Sequence, residues 1–209
     1  MSNPTTRMFT WLSMLVMFVC FPVALGISLF SGCEVRHRTE KQACAAGSVE
    51  QCLAVANLYD DAAQTDDILA VLLDYPSEAA RFYEQACKLG SGPGCYAFGK
   101  LSPSGQVRAF TQGCEAHVPQ ACAALGMLYV SGDGVTRDDA RAAQLFTAAC
   151  EGKSGDGCDG LAWLHVNGRG GLTIDPEAAV RLFDAACNHG NRDGCKQSSS
   201  YSAHGRFDP

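Results

Sequence analysis

The chain has 209 residues, 12 cysteines, 47% hydrophobic residues and a formal net charge of −6. With 22 acids against 16 bases and no Lys/Arg cluster, it lacks the concentrated positive charge that a nucleic-acid binder uses to neutralise phosphates. Only 18% of its residues are charged, which argues against a largely disordered chain.

Residues 1–33 contain one base, Arg7, and no acid, and residues 8–30 carry no charge at all. The uncharged run is long enough to span a bilayer as a helix. It is interrupted by Thr10, Ser13, Pro22, Gly26 and Ser28. We read residues 1–33 as a signal peptide or a membrane anchor. The run closes on Leu29-Phe30-Ser31-Gly32-Cys33, which resembles the lipobox of bacterial lipoproteins, with Phe30 in place of the usual aliphatic residue. That resemblance implies cleavage before Cys33 and lipidation of its thiol. Arg36, Arg38 and Lys41 follow the run. For a retained helix, the positive-inside rule would leave the following body in the cytoplasm.

The cysteines argue the other way. Ten of them form five pairs of one spacing, Cys-x7-Cys: Cys44 and Cys52, Cys87 and Cys95, Cys114 and Cys122, Cys150 and Cys158, Cys187 and Cys195. Along a continuous helix, eight residues rise about 12 Å, whereas a disulfide needs Cα atoms within roughly 7 Å. The chain must therefore reverse between the two cysteines of each pair. KLGSGPG, EGKSGDG and NHGNRDG supply the Gly, Pro, Asn and Asp of such turns. Each pair reads as a staple between the end of one helix and the start of the next. Zinc sites use closer cysteine spacings, and no Cys-x2-Cys occurs, so no metal or other cofactor is expected. Disulfides persist in oxidising compartments, which predicts an extracytoplasmic body in the periplasm or cell envelope.

Taken in chain order, the first leading helix, RHRTEKQAC, lacks an aromatic residue, and an insertion follows near residues 60–75 that includes the apolar run ILAVLLDYP. The later leading helices read SEAARFYEQAC, DARAAQLFTAAC and PEAAVRLFDAAC. Ser77 and Asp175 are expected N-caps, with Pro176 in the favoured first helical position. Four residues before the first cysteine stand Tyr83, Phe110, Phe146 and Phe183. Directly before it stand Ala43, Ala86, Gly113, Ala149 and Ala186, small enough to let two helices approach. Three, four and six residues after the second cysteine come apolar or small residues, among them Leu125, Gly126 and Leu128. They place one apolar stripe on a partner helix. Tyr59, Tyr129 and Trp163 fit core packing. Gly132-Asp133-Gly134-Val135 and Gly168-Arg169-Gly170 read as helix C-caps and tight turns. Residues 197–209 lack the stripe and are expected to form a frayed cap or a disordered tail.

These features predict an all-α, α/α superhelical solenoid of about five hairpins over residues 34–196. Leu125-Gly126-Met127-Leu128-Tyr129, followed by Gly132, Gly134, Val135 and Asp138, resembles the Sel1-like repeat, a tetratricopeptide-like family. The Cys-x7-Cys staples are similar to those of its cysteine-rich secreted members, such as the Helicobacter cysteine-rich proteins. The resemblance implies a non-enzymatic scaffold that binds an unidentified protein or peptide, touching a membrane only through its N-terminal segment. It also brings an alternative, penicillin-binding or weak β-lactamase-like activity. The residues three before each lysine are Arg38, Gln85, Ala97, Cys150 and Asp193, so the Ser-x-x-Lys of such acyl-enzymes is missing. For partner binding, the candidates are exposed positions of the leading helices: Arg81, Arg108, Arg141, Gln144 and Arg181.

Overall fold

The computed structural model describes residues 31–64 and 74–204. The described residues form five helical hairpins in chain order: α1 (Ser31–Ala45) with α2 (Val49–Ala63), α3 (Tyr75–Lys88) with α4 (Gly92–Leu101), α5 (Gln106–Glu115) with α6 (Pro119–Ser131), α7 (Asp139–Glu151) with α8 (Gly155–Asn167), and α9 (Pro176–Asn188) with α10 (Arg192–His204). The apolar segment 8–30, read as a signal or anchor, lies outside the described residues, as do residues 65–73 of the insertion and the side chain of Cys33. Among the described residues, no helix is long and apolar enough to cross a membrane.

All five Cys-x7-Cys pairs are disulfides, with Cα atoms 4.4–4.6 Å apart. One turn geometry serves all five. The residue three after the first cysteine is left-handed in every hairpin: Gly47, Gly90, His117, Lys153 and Gly190. Its N–H donates to the carbonyl of the first cysteine, and the next N–H donates to the carbonyl before that cysteine, as in Gly90 to Cys87 (2.9 Å) and Ser91 to Ala86 (3.0 Å). These bonds satisfy carbonyls left open at the helix end. Ser48, Ser91, Ser154 and Asn191 then cap the second helices by accepting from backbone N–H groups.

The small residues expected beside the staples are where the two helices cross. A Cβ placed on Gly94 would come to 2.8 Å from that of Ala86, and one on Gly113 would come to 2.7 Å from that of Ala121. Gly194 meets Ala186 in the same way, at 2.7 Å. Contact this close leaves no room for a larger side chain at the crossing.

Between hairpins, the aromatic residue before one staple packs on the small residue after the previous one. Tyr83 shares a core cluster with Ala56, and Phe183 shares one with Ala162. Gly99 faces the Phe110 ring, and Gly126 faces the Phe146 ring, where a Cβ would lie 2.7 Å away. Two stripes that look separate in the sequence are thus halves of one contact. The core is accordingly a row of clusters, one after another along the stack. In the first, the Tyr83 hydroxyl donates to Asn57 Oδ1 (2.6 Å). Burial, followed by the charges of Asp60 and Asp61, pushes that hydroxyl up to about 12.

The glycine turns end α6 and α8 as expected. Gly132 sits at φ +83° and donates to Leu128 O (2.8 Å), a conformation costly for residues with a Cβ. The returning chain is pinned by Asp138 N–H to Tyr129 O (2.9 Å) and Asp175 N–H to His165 O (3.2 Å). Asp175 caps α9 through Ala178 N–H (2.9 Å). The shorter link from α4 to α5 carries a 3₁₀ turn, Pro103–Gly105, in place of the glycine turn.

Two expectations need correction. Ser77 does not cap α3, which begins at Tyr75 with Asp74 as its left-handed cap residue. Pro76 is preorganised for the first helical turn, and Tyr75 packs on Tyr59 with ring centroids 5.5 Å apart. The tail is also not disordered from residue 197, because α10 continues to His204. Its inner face is polar: Gln197 and Ser200 are buried, and the Ser198 hydroxyl donates to Asp184. A helix that docks through hydrogen bonds leaves no apolar stripe to read.

Candidate partner-binding site

The five expected binding residues all lie exposed on leading helices. Arg81, Arg108, Gln144 and Arg181 each stand six residues before the first cysteine of their hairpin, so the repeat places them in equivalent positions. Arg141 stands one turn earlier and donates to Gln144 Oε1 (3.0 Å). Arg81 pairs with Glu78 (3.2 Å), and Arg108 reaches back to Glu84 of the preceding hairpin (3.2 Å). Glu84 also accepts Lys88 (3.0 Å), and the two cations hold its carboxyl below the usual range. These pairs are exposed and individually worth little.

A second feature lies on the other helix layer. Where α6 and α8 run side by side, they enclose a cleft of about 290 Å³. It is lined by Met127 and Val130 of α6, Phe146 of α7, and Gly160, Trp163 and Leu164 of α8. Met127 is 55% exposed. Trp163, expected in the core, does pack edge-on against Phe183 (5.5 Å), yet it also lines the cleft.

The cleft holds two charged residues with opposite circumstances. Arg169 is fully engaged: its guanidinium makes two bonds to the Asp139 carboxylate, at 2.7 and 2.8 Å. With Arg137 also on Asp139 (3.3 Å), that carboxyl is held well below its ordinary range. Asp159 is the reverse case. Its buried Oδ1 has no hydrogen-bond partner among the described residues. Burial, together with the nearby charges of Asp193 and Asp156, pushes it up to about 6.

The sequence carried a signal for Asp159 that hydrophobic patterning passed over. The position after the second cysteine holds Leu53, Tyr96 and Ala123 in the first three hairpins and Asp159 in the fourth. An acid with a raised folded value lowers stability above that value. The unfolded chain releases this proton near pH 4, and the fold retains it to about pH 6, so stability falls as pH rises between the two. Asp159→Asn is expected to stabilise the chain at pH 7 by about 1–2 kcal/mol after solvent screening. The gain should vanish near pH 4. Thermal unfolding of both proteins at the two pH values checks this, and an equal gain at both would refute it.

Among the described residues, no group of three or more His, Cys, Asp or Glu side chains is placed to hold a metal ion. A family model of the Sel1 repeat matches residues 71–91, 119–154 and 155–191.

Across those three segments the chain carries Sel1 repeats.

The two long Sel1 matches cover α6 with α7 and α8 with α9, so each runs from a second helix into the next leading helix. Solved structures agree on the fold. A Sel1 repeat protein from Oxalobacter formigenes superposes with a TM-score of 0.66 at 21% identity, over 81% of this chain and 70% of that one. The protective antigen c5321 of uropathogenic Escherichia coli also gives 0.66, at 23% identity, over 81% of this chain and 37% of its own. Helicobacter pylori cysteine-rich protein B is 26% identical over 62% of this chain and 96% of its own, with a TM-score of 0.48. No curated protein sequence matches the chain.

Proposed function

We propose that this Sel1-repeat chain is an extracytoplasmic scaffold that binds a protein or peptide partner at the cell envelope. The observation that carries the reading is the recurrence of Arg81, Arg108, Gln144 and Arg181 at one exposed position of successive leading helices. A solenoid displays such a series as an extended surface, which suits an elongated partner better than a small substrate. The five disulfides support residence outside the reducing cytoplasm. An N-terminal segment that is cleaved and lipidated at Cys33, or retained as an anchor, would hold the scaffold at a membrane. Intact mass of the chain from its native membrane separates those two cases.

Binding is tested by capture from solubilised envelope with the full-length chain as bait. Arg141→Glu with Arg181→Glu is expected to lose a partner that the wild type retains. These exposed substitutions should leave helix content and disulfide number unchanged. Equal recovery by both baits would remove the leading-helix row from the interface.

A further inference from the structure

We propose that the cleft between α6 and α8 receives a lysine or arginine side chain from a peptide partner, with its charged head on Asp159. The alkyl stem would lie between Met127 and Trp163. This inference rests on the reading of the chain as a peptide- or protein-binding scaffold, and it adds the chemistry of one anchor residue.

Four observations converge on a cation. Asp159 lines the cleft and is only partly buried, while its buried Oδ1 finds no hydrogen-bond donor among the described residues, so nothing within them neutralises the carboxylate. Packing does not demand an acid there, since Leu53, Tyr96 and Ala123 fill the same repeat position. The nearby charges of Asp156 and Asp193 are negative, and among the described residues no cation is paired with Asp159 itself. Asp156 accepts only the neutral amide of Asn191 (2.9 Å), Lys196 is drawn to Asp193 (2.6 Å), and Arg169 is committed to Asp139. The shape is also suitable. At about 290 Å³ the cleft lies just below the usual range for small-molecule pockets and suits one long side chain. Its apolar walls match an alkyl stem, and the Trp163 indole favours a nearby cation.

The experiment probes a positional-scanning library of immobilised octapeptides with the full-length chain. Wild-type protein is expected to select lysine or arginine at one position. A selected peptide should bind about tenfold more weakly when that residue becomes norleucine, or when Asp159→Asn is used instead of the wild type. The two changes together should cost little more than either alone. Met127→Ala should weaken binding about threefold, because it shortens the wall without touching the charge. Loss of fold cannot mimic the Asp159→Asn result, since that variant is expected to be at least as stable as the wild type at pH 7. Its disulfide number and circular dichroism verify this. Peptides bound without a basic preference, or with one that survives Asp159→Asn, would overturn the inference and leave the scaffold reading standing. If no peptide binds at all, the inference falls, and the scaffold reading stands or falls on the capture experiment.

Discussion

Phe146→Ala is expected to destabilise the solenoid by about 3–5 kcal/mol, measured by urea unfolding under non-reducing conditions. Phe146 is 1% exposed and sits at the junction of the third and fourth hairpins. Its ring meets both Gly126 and Gly160, each so close that an added Cβ would lie 2.7 Å from it. Glycines have no side chain to swing into the space that alanine would leave, so the cavity stays open and the cost lies high in its range. Gly126→Ala gives the complementary test. Alone, it forces a methyl against the ring and should cost about 1–3 kcal/mol. With the ring gone, the methyl has room, so the double variant should be more stable than the two single losses added together. A coupling of at least about 1 kcal/mol is expected. Strict additivity would show that the ring is not seated against Gly126.

Phe146 also shows what the sequence allowed and what it hid. The aromatic at this position and the small residue at Gly126 are both visible as repeated features. That they touch each other, across hairpins, depends on the offset with which one hairpin stacks on the next, and no single repeat records that offset. The staples were legible because eight residues impose a hard distance limit, and the observed Cα separations of 4.4–4.6 Å obey it. Asp159 escaped because its environment is assembled from α6, α8 and the start of α10. Only its departure from Leu53, Tyr96 and Ala123 hinted at a special role. The last helix escaped for a different reason. Apolar periodicity finds helices that bury hydrophobic faces, and α10 buries Gln197 and Ser200. The boundaries of the Sel1 matches add a further point. The matched units meet between Ser154 and Gly155, inside the Cys150–Cys158 staple. In that phase the disulfide joins one unit to the next, although it lies within a single hairpin.

That placement makes the Cys150–Cys158 staple the most informative one to remove. Cys150→Ala with Cys158→Ala frees an eight-residue step, and on the chain-entropy model the loss is about 2–3 kcal/mol. All five staples close loops of the same length, so loop entropy alone predicts the same cost for each. Packing predicts a difference. Cys158 is fully buried at 0% exposure, whereas both Cys187 and Cys195 are partly exposed. Alanine at Cys158 therefore leaves a void that alanine at the last staple does not. Losing Cys150–Cys158 is expected to cost about 1 kcal/mol more than losing Cys187–Cys195, read from the same unfolding assay. Equal costs would assign the whole effect to the unfolded chain. Native helix content should survive either single removal, because the close crossings beside the staples remain. Reduction of all five is a different matter. Summed, the loop terms exceed about 10 kcal/mol, comparable to the whole stability of an ordinary domain. Excess dithiothreitol at 37 °C should therefore abolish the cooperative transition. A fully reduced chain that kept a cooperative transition would remove the stability argument for an oxidising compartment.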